Sequence, residues 1–163
     1  MASTLATISS SRIDHKFARL KDEGRKALVC YVTAGHPDIA TSQALFQSLQ
    51  ESGADVLEVG VPFSDPIADG PVIQESSQIA LANGMTLNKT LDMVAKAKLE
   101  IPVVLFTYLN PLMAAGPNVL ERAHNSGVDG ILLTDLPVGA DPGIEEWVGE
   151  SGLDLIRLVA PTS

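Results

Sequence analysis

The stretch Glu51-Ser52-Gly53-Ala54-Asp55-Val56-Leu57-Glu58-Val59-Gly60-Val61-Pro62 closes a helix and opens a strand. Gly53 suits the left-handed C′ position that ends a helix, where a Cβ would be strained. The apolar run that follows, 56–61, has the length of a buried strand. The same junction is written twice more, as Asn125-Ser126-Gly127-Val128-Asp129 and Glu150-Ser151-Gly152-Leu153-Asp154, each leading into another apolar run. A repeated helix end, glycine and strand start is a βα unit, and it predicts a parallel sheet covered by helices.

Working outward, five apolar runs read as strands, at 27–33, 56–61, 102–109, 130–134 and 155–160. They are continuous rather than alternating, as strands buried on both faces are. Between them lie amphipathic segments with readable starts. A first helix over 13–22 is expected to turn Phe17 and Leu20 inward. Asp38 caps a helix reaching Gln50, with Leu45, Phe46 and Leu49 on its apolar face; another runs from Pro71 towards Gly84; Thr86 caps 87–99, with Leu87, Leu91 and Val94 inward. No linker divides the chain, so 1–163 reads as one α/β domain with a frayed Ser/Thr-rich tail over 1–11. Two architectures fit: an open doubly wound sheet, which the length of 163 residues favours, or part of a (β/α)8 barrel, whose whole typically needs about 250 residues.

Composition narrows the function classes. Hydrophobic residues make up 45% of the chain, enough for a sizeable core and against intrinsic disorder. The net charge is −9 and Lys and Arg form no stripe, so nucleic acid is not an expected partner. No apolar stretch reaches membrane-spanning length, and the amino terminus lacks a secretory pattern, so no membrane partner and a cytoplasmic location are expected. The single cysteine, Cys30, lies in an apolar run and reads as a buried inert thiol. His15, His36 and His124 have no metal-site spacing, and no dinucleotide or P-loop glycine motif is present, so no metal or cofactor is implied.

Glu58 places a carboxylate in the middle of an otherwise apolar strand. Burial without a partner would raise its pKa towards the range of a general acid or base. The competing reading gives it a strand-end position with its head in water, or a buried Lys or Arg partner. Asp69 follows in the proline-rich loop Pro62-Phe63-Ser64-Asp65-Pro66-Ile67-Ala68-Asp69-Gly70-Pro71. The chain leaves the carboxyl end of the strand there, so both carboxylates can face one pocket at the rim where parallel α/β folds bind ligands. A helix N-cap role for Asp69 before Gly70-Pro71 is equally open. Tyr108, Asn110 and Asp135 end further strands at the same rim, and each also reads as core aromatic or turn former before proline.

The run from Leu57 to Gln74, containing Glu58, Ser64-Asp65-Pro66 and Asp69-Gly70-Pro71, resembles the signature of the tryptophan synthase α subunit family. Tyr31-Val32-Thr33-Ala34-Gly35, Phe106-Thr107-Tyr108-Leu109-Asn110-Pro111, Asp135-Leu136-Pro137 and Ala160-Pro161-Thr162 keep the family's order and spacing from about Phe17 onward. The resemblance implies an incomplete TIM (β/α)8 barrel of the ribulose-phosphate-binding type, with about five βα units. The implied reaction is retro-aldol cleavage of indole-3-glycerol phosphate to indole and glyceraldehyde 3-phosphate, without a cofactor. Glu58 matches the general acid/base and Asp69 the carboxylate that holds the indole N–H. Tyr31 and Tyr108 match substrate-side positions. Ser64, Asp65 and Pro66 match the loop that meets the β subunit in an α2β2 complex. His36, Cys30 and Thr134 depart from the family's usual acidic residue, proline and proline. The family's phosphate-binding segments lie beyond the resemblance, so an impaired fragment of the lyase is expected, with a non-catalytic remnant that binds a β subunit as the alternative.

Overall fold

The computed structural model describes residues 11–159 and Pro161. Strands β1 (Val29–Thr33), β2 (Val56–Gly60), β3 (Val103–Thr107), β4 (Gly130–Leu133) and β5 (Asp154–Ile156) form a parallel sheet in which each pairs with the next. The helices are α1 (Arg12–Asp22), α2 (Ile39–Glu51), α3 (Pro71–Ala82), α4 (Leu87–Ala97), α5 (Leu109–Ala115), α6 (Val119–Asn125) and α7 (Pro142–Glu150). An open doubly wound sheet reverses its strand order at a switch point. Here the order β1-β2-β3-β4-β5 never reverses, and right-handed crossovers then lay every connecting helix on one face. That is an arc of a (β/α)8 barrel.

The repeat does what its glycines require. Gly53, Gly127 and Gly152 have φ of 98°, 94° and 79°, ending α2, α6 and α7. Its aspartates have a second task that the sequence does not announce. The Asp55 carboxylate accepts the Leu28 N–H at 3.0 Å and the Asp129 carboxylate accepts the Val103 N–H at 2.8 Å. Each ties the start of its own strand to the start of the strand before it.

Side chains alternate across the sheet. Leu57, Val59, Leu105, Ile131 and Leu133 are buried beneath the helices together with Phe46, Leu91, Leu112, Leu120 and Val148. The inner, barrel-side face carries a smaller cluster, Val56, Val104 and Leu132, packed with Phe106, Ile156 and Ile13 of α1. Helix α1 therefore closes the amino-terminal end of the inner face. Arg12 fastens it, sitting 3.2 Å from Asp129 and donating to the carbonyls of Leu99, Glu100 and Ile101 at 3.1, 2.8 and 3.2 Å. Lys16 adds a weaker pair, 3.7 Å from Asp55. Arg12→Ala strands the Asp129 carboxylate and frees α1, an expected loss of about 1–3 kcal/mol in urea unfolding. A loss near zero would show that α1 does not depend on this anchor.

Several local expectations are corrected. Phe17 is 48% exposed; Leu20 is buried as expected, and Ile13 rather than Phe17 turns inward with it. Leu45 is 36% exposed, and Phe46 and Leu49 carry the α2 contact. Cys30 is only half-buried, against the helix side of β1. β3 stops at Thr107, and α5 begins at Leu109 where the strand was expected to continue. The reason lies in a distant residue: Asp135, after β4, accepts the Leu109 N–H at 2.8 Å and caps α5 from outside. Asn110 is exposed in the first turn of that helix.

Candidate active site

With α1 across one end of the inner face, the carboxyl-terminal end is left for chemistry. In β2, Leu57 and Val59 point to the helices, so Glu58 points inward with Val56 and Gly60. Glu58 is half-buried in mid-strand, and among the described residues no Lys, Arg or His pairs with it. Its desolvation is uncompensated, and burial pushes the carboxyl above its ordinary range. Glu58 is therefore neither at a strand end nor in an ion pair among the described residues.

Tyr31 of β1 lies in register with Glu58, and Phe106 of β3 in register with Gly60. Residues two strands apart stand roughly 9–10 Å apart along the hydrogen-bonding direction. The Tyr31 and Phe106 rings nevertheless meet edge to face with centroids 5.2 Å apart. Gly60 makes this possible, because a Cβ there would overlap the Tyr31 hydroxyl. The glycine in a strand was the available signal for this close approach, and sequence reasoning did not use it. Gly60 and Phe106 are the residues of this face that it missed.

Asp69 reaches the same face through the loop between β2 and α3. The Tyr108 hydroxyl oxygen accepts the Ala68 N–H at 2.9 Å, and the Phe63 and Tyr108 rings lie 5.1 Å apart. Gln74 donates to the Asp69 carbonyl at 2.8 Å, pinning the loop from α3. The N-cap of α3 is Gly70, with no side-chain cap, so Asp69 is free of the capping role. Burial pushes the Asp69 carboxyl above its ordinary pKa range, and the Tyr108 hydroxyl pulls it partly back. The Tyr31 phenol is raised by its own burial first and then by the negative charges of Asp69 and Glu58. Both carboxylates therefore act on one space.

Ser64 and Asp65 stand on the exposed side of the loop, bonded to each other at 2.6 Å, with Pro66 half-buried and the neighbouring Ile67 85% exposed. Asp135 is turned to α5 and does not join the carboxylate pair. Among the described residues no group of three His, Cys, Asp or Glu comes together to hold a metal ion.

An arc of parallel βα units with two unpaired carboxylates and two tyrosines at its inner carboxyl-terminal rim defines the class, a TIM-barrel fold whose rim is suited to proton transfer. A model of the family described as "Tryptophan synthase alpha chain" matches residues 17–163. The chain belongs to that family. It is 51% identical over 159 residues to the tryptophan synthase alpha chain of Geobacter sulfurreducens, covering 94% of this chain and 59% of the relative. The alpha chain of Prochlorococcus marinus is 44% identical, with 99% of this chain and 58% of the relative covered. The crystal structure of tryptophan synthase subunit alpha from Legionella pneumophila superposes with a TM-score of 0.91 at 40% identity, over 94% of this chain and 60% of that one. Tryptophan synthase from M. tuberculosis in its aminoacrylate-bound form gives 0.87 at 35% identity, over 94% and 63%. The chain thus spans about three-fifths of the length of these relatives.

Proposed function

We propose that this chain carries the acid–base half of a tryptophan synthase alpha-type lyase, which cleaves indole-3-glycerol phosphate to indole and glyceraldehyde 3-phosphate. The observation that supports it most is Glu58, an unpaired carboxyl on the inner face whose burial raises its pKa above the ordinary carboxylate range. In this reading Glu58 protonates indole C3 and takes up the proton of the glycerol hydroxyl as the carbon–carbon bond breaks. Asp69, whose carboxyl burial raises and the Tyr108 hydroxyl pulls partly back, accepts the indole N–H and offsets the positive charge that forms on the ring. Tyr31 and Tyr108 border the ring.

The same reading gives the exposed Ser64-Asp65-Pro66 segment a partner, the synthase β subunit, with the exposed Ile67 as an apolar contact beside it. It also places the chain in the cytoplasm; among the described residues no helix is long and apolar enough to cross a membrane.

The test is Asp69→Asn in this chain joined to the remaining units of a relative's barrel, with indole release measured beside thermal melting. Turnover is expected to fall about 10²–10³-fold, the usual cost of one missing charge-stabilising group. The melting temperature is expected to hold, because Asp69 caps no helix. Unchanged turnover would remove Asp69 from the mechanism, and an absence of indole release with Asp69 intact would remove the lyase reading.

A further inference from the structure

Asp69 is held by its backbone. Its N–H donates to the Pro66 carbonyl at 3.1 Å, and its own carbonyl accepts the Gln74 side-chain amide at 2.8 Å. The same amide nitrogen lies 3.4 Å from the Pro66 carbonyl. A carbonyl only accepts, so the group that Gln74 turns to this pair is its NH2, with one proton for each. One side chain thus bridges the two carbonyls that bracket the turn 66–69.

The bridge is anchored behind. The Gln74 N–H opens the α3 ladder on the Gly70 carbonyl at 3.0 Å. Two residues further along α3, Ser76 Oγ lies 2.7 Å from Thr33 Oγ1 of β1, and Thr33 is buried. From the other side the Tyr108 hydroxyl accepts the Ala68 N–H at 2.9 Å. Both backbone groups of Asp69 are therefore committed, which leaves its carboxyl for the site. We infer that Gln74 is a positioning residue for the proposed cleavage: its amide ties the Asp69 turn to α3, and through α3 to the sheet, so that the carboxyl is set before substrate arrives.

The loop needs such a hold. A carboxylate that offsets transition-state charge works by being in place beforehand, since turning it during the reaction would cost much of what it supplies. None of residues 63–70 is buried, and Ile67 is 85% exposed, so core packing does not fix the turn. Hydrogen bonds from neighbouring elements do. Gln74→Met keeps the length of the side chain and a good helix former while removing both protons. Gln74→Glu keeps its shape, and an ionised carboxylate only accepts.

The role of Gln74 rests on the lyase reading of Asp69, so the test reads loop and turnover separately. In the barrel completed with a relative's remaining units, hydrogen exchange over 62–70 is expected to quicken about tenfold in Gln74→Met, and in Gln74→Glu at neutral pH, with α3 and the melting temperature unmoved. Indole turnover is expected to fall about 10- to 100-fold in both, the cost of a misplaced group, with KM little changed. In an Asp69→Asn background, adding Gln74→Met should lower turnover by less than about twofold, because the carboxylate it positions is already gone. An equal fall in both backgrounds would mark Gln74 as a structural group and overturn the inference, as would unchanged exchange in the loop or full turnover in Gln74→Met. A loss in Gln74→Met but not in Gln74→Glu would overturn it too, since shape rather than donated protons would then matter. Faster loop exchange in the variants, with no indole release even by the unsubstituted barrel, would leave the bridge standing and remove only the lyase reading.

Discussion

Glu58→Gln, in a barrel completed with a relative's remaining units, is expected to lose about 10²–10⁴-fold in turnover of indole-3-glycerol phosphate with little change in KM. Glutamine keeps the shape of the side chain and removes the proton. The same substitution has an opposite effect on stability. Burial raises the folded pKa of Glu58 above its unfolded value. Its contribution to stability is therefore complete below the unfolded carboxylate pKa and is lost as pH rises through the folded pKa. Glutamine does not titrate. At neutral pH the variant should melt a few degrees above the native chain, and the difference should vanish or reverse in acid. A Glu58→Gln protein that loses activity and melts lower at pH 7 would mark Glu58 as a structural group, and near-normal turnover would end its catalytic assignment.

Residues 1–163 purified by themselves are expected to release indole orders of magnitude more slowly than a full-length relative, although Glu58 and Asp69 are in place. In barrels of this fold the substrate phosphate commonly rests on backbone amides after strands seven and eight. The described arc has only β1 to β5. Positioning of the reacting atoms is worth roughly 7–11 kcal/mol in well-oriented reactions, and the phosphate anchor is a large part of what supplies it here. Instability adds to the loss. β1 and β5 each pair on one side only, and Leu28 and Val29 at one margin and Leu158 and Val159 at the other are exposed. Such edges invite association with other chains. Indole-release kinetics with size-exclusion chromatography check both statements; a monodisperse chain with the turnover of a full-length relative would contradict them and require a phosphate site within the arc.

Sequence and structure agree where the determining interactions are local. A glycine at a helix C′ position and a capping Asp or Thr act within a few residues, so the junctions at Gly53, Gly127 and Gly152 and the caps Asp38 and Thr86 could be read directly. Glu58 was legible for a related reason: a lone charge in an apolar strand conflicts with its surroundings wherever the strand sits. The apolar character of the strands also carried the parallel sheet, because the central strands β2, β3 and β4 are packed under the helices on one face and bury Val56, Val104 and Leu132 on the other.

What the sequence left open depended on partners far along the chain. Length by itself pointed to an open sheet and the motif resemblance to a barrel, and the unreversed strand pairing bears out the barrel arc. Phe17 looked inward by periodicity, but α1 meets the sheet through Ile13 and is fastened by Arg12 reaching Asp129 and the carbonyls of Leu99, Glu100 and Ile101. α5 starts at Leu109 because Asp135 caps it from another loop. Glu58 and Asp69 share a space because Tyr108 accepts the Ala68 amide and folds the loop back, and Tyr31 meets Phe106 because Gly60 between them has no side chain. By itself the sequence determined the βα units and the residue types available for proton transfer, since backbone conformation and burial preference are properties of short segments. The tertiary structure decided which of those residues share one face, because the loop carrying Asp69 is held by Tyr108 of a different βα unit and the Tyr31 ring reaches Phe106 across Gly60.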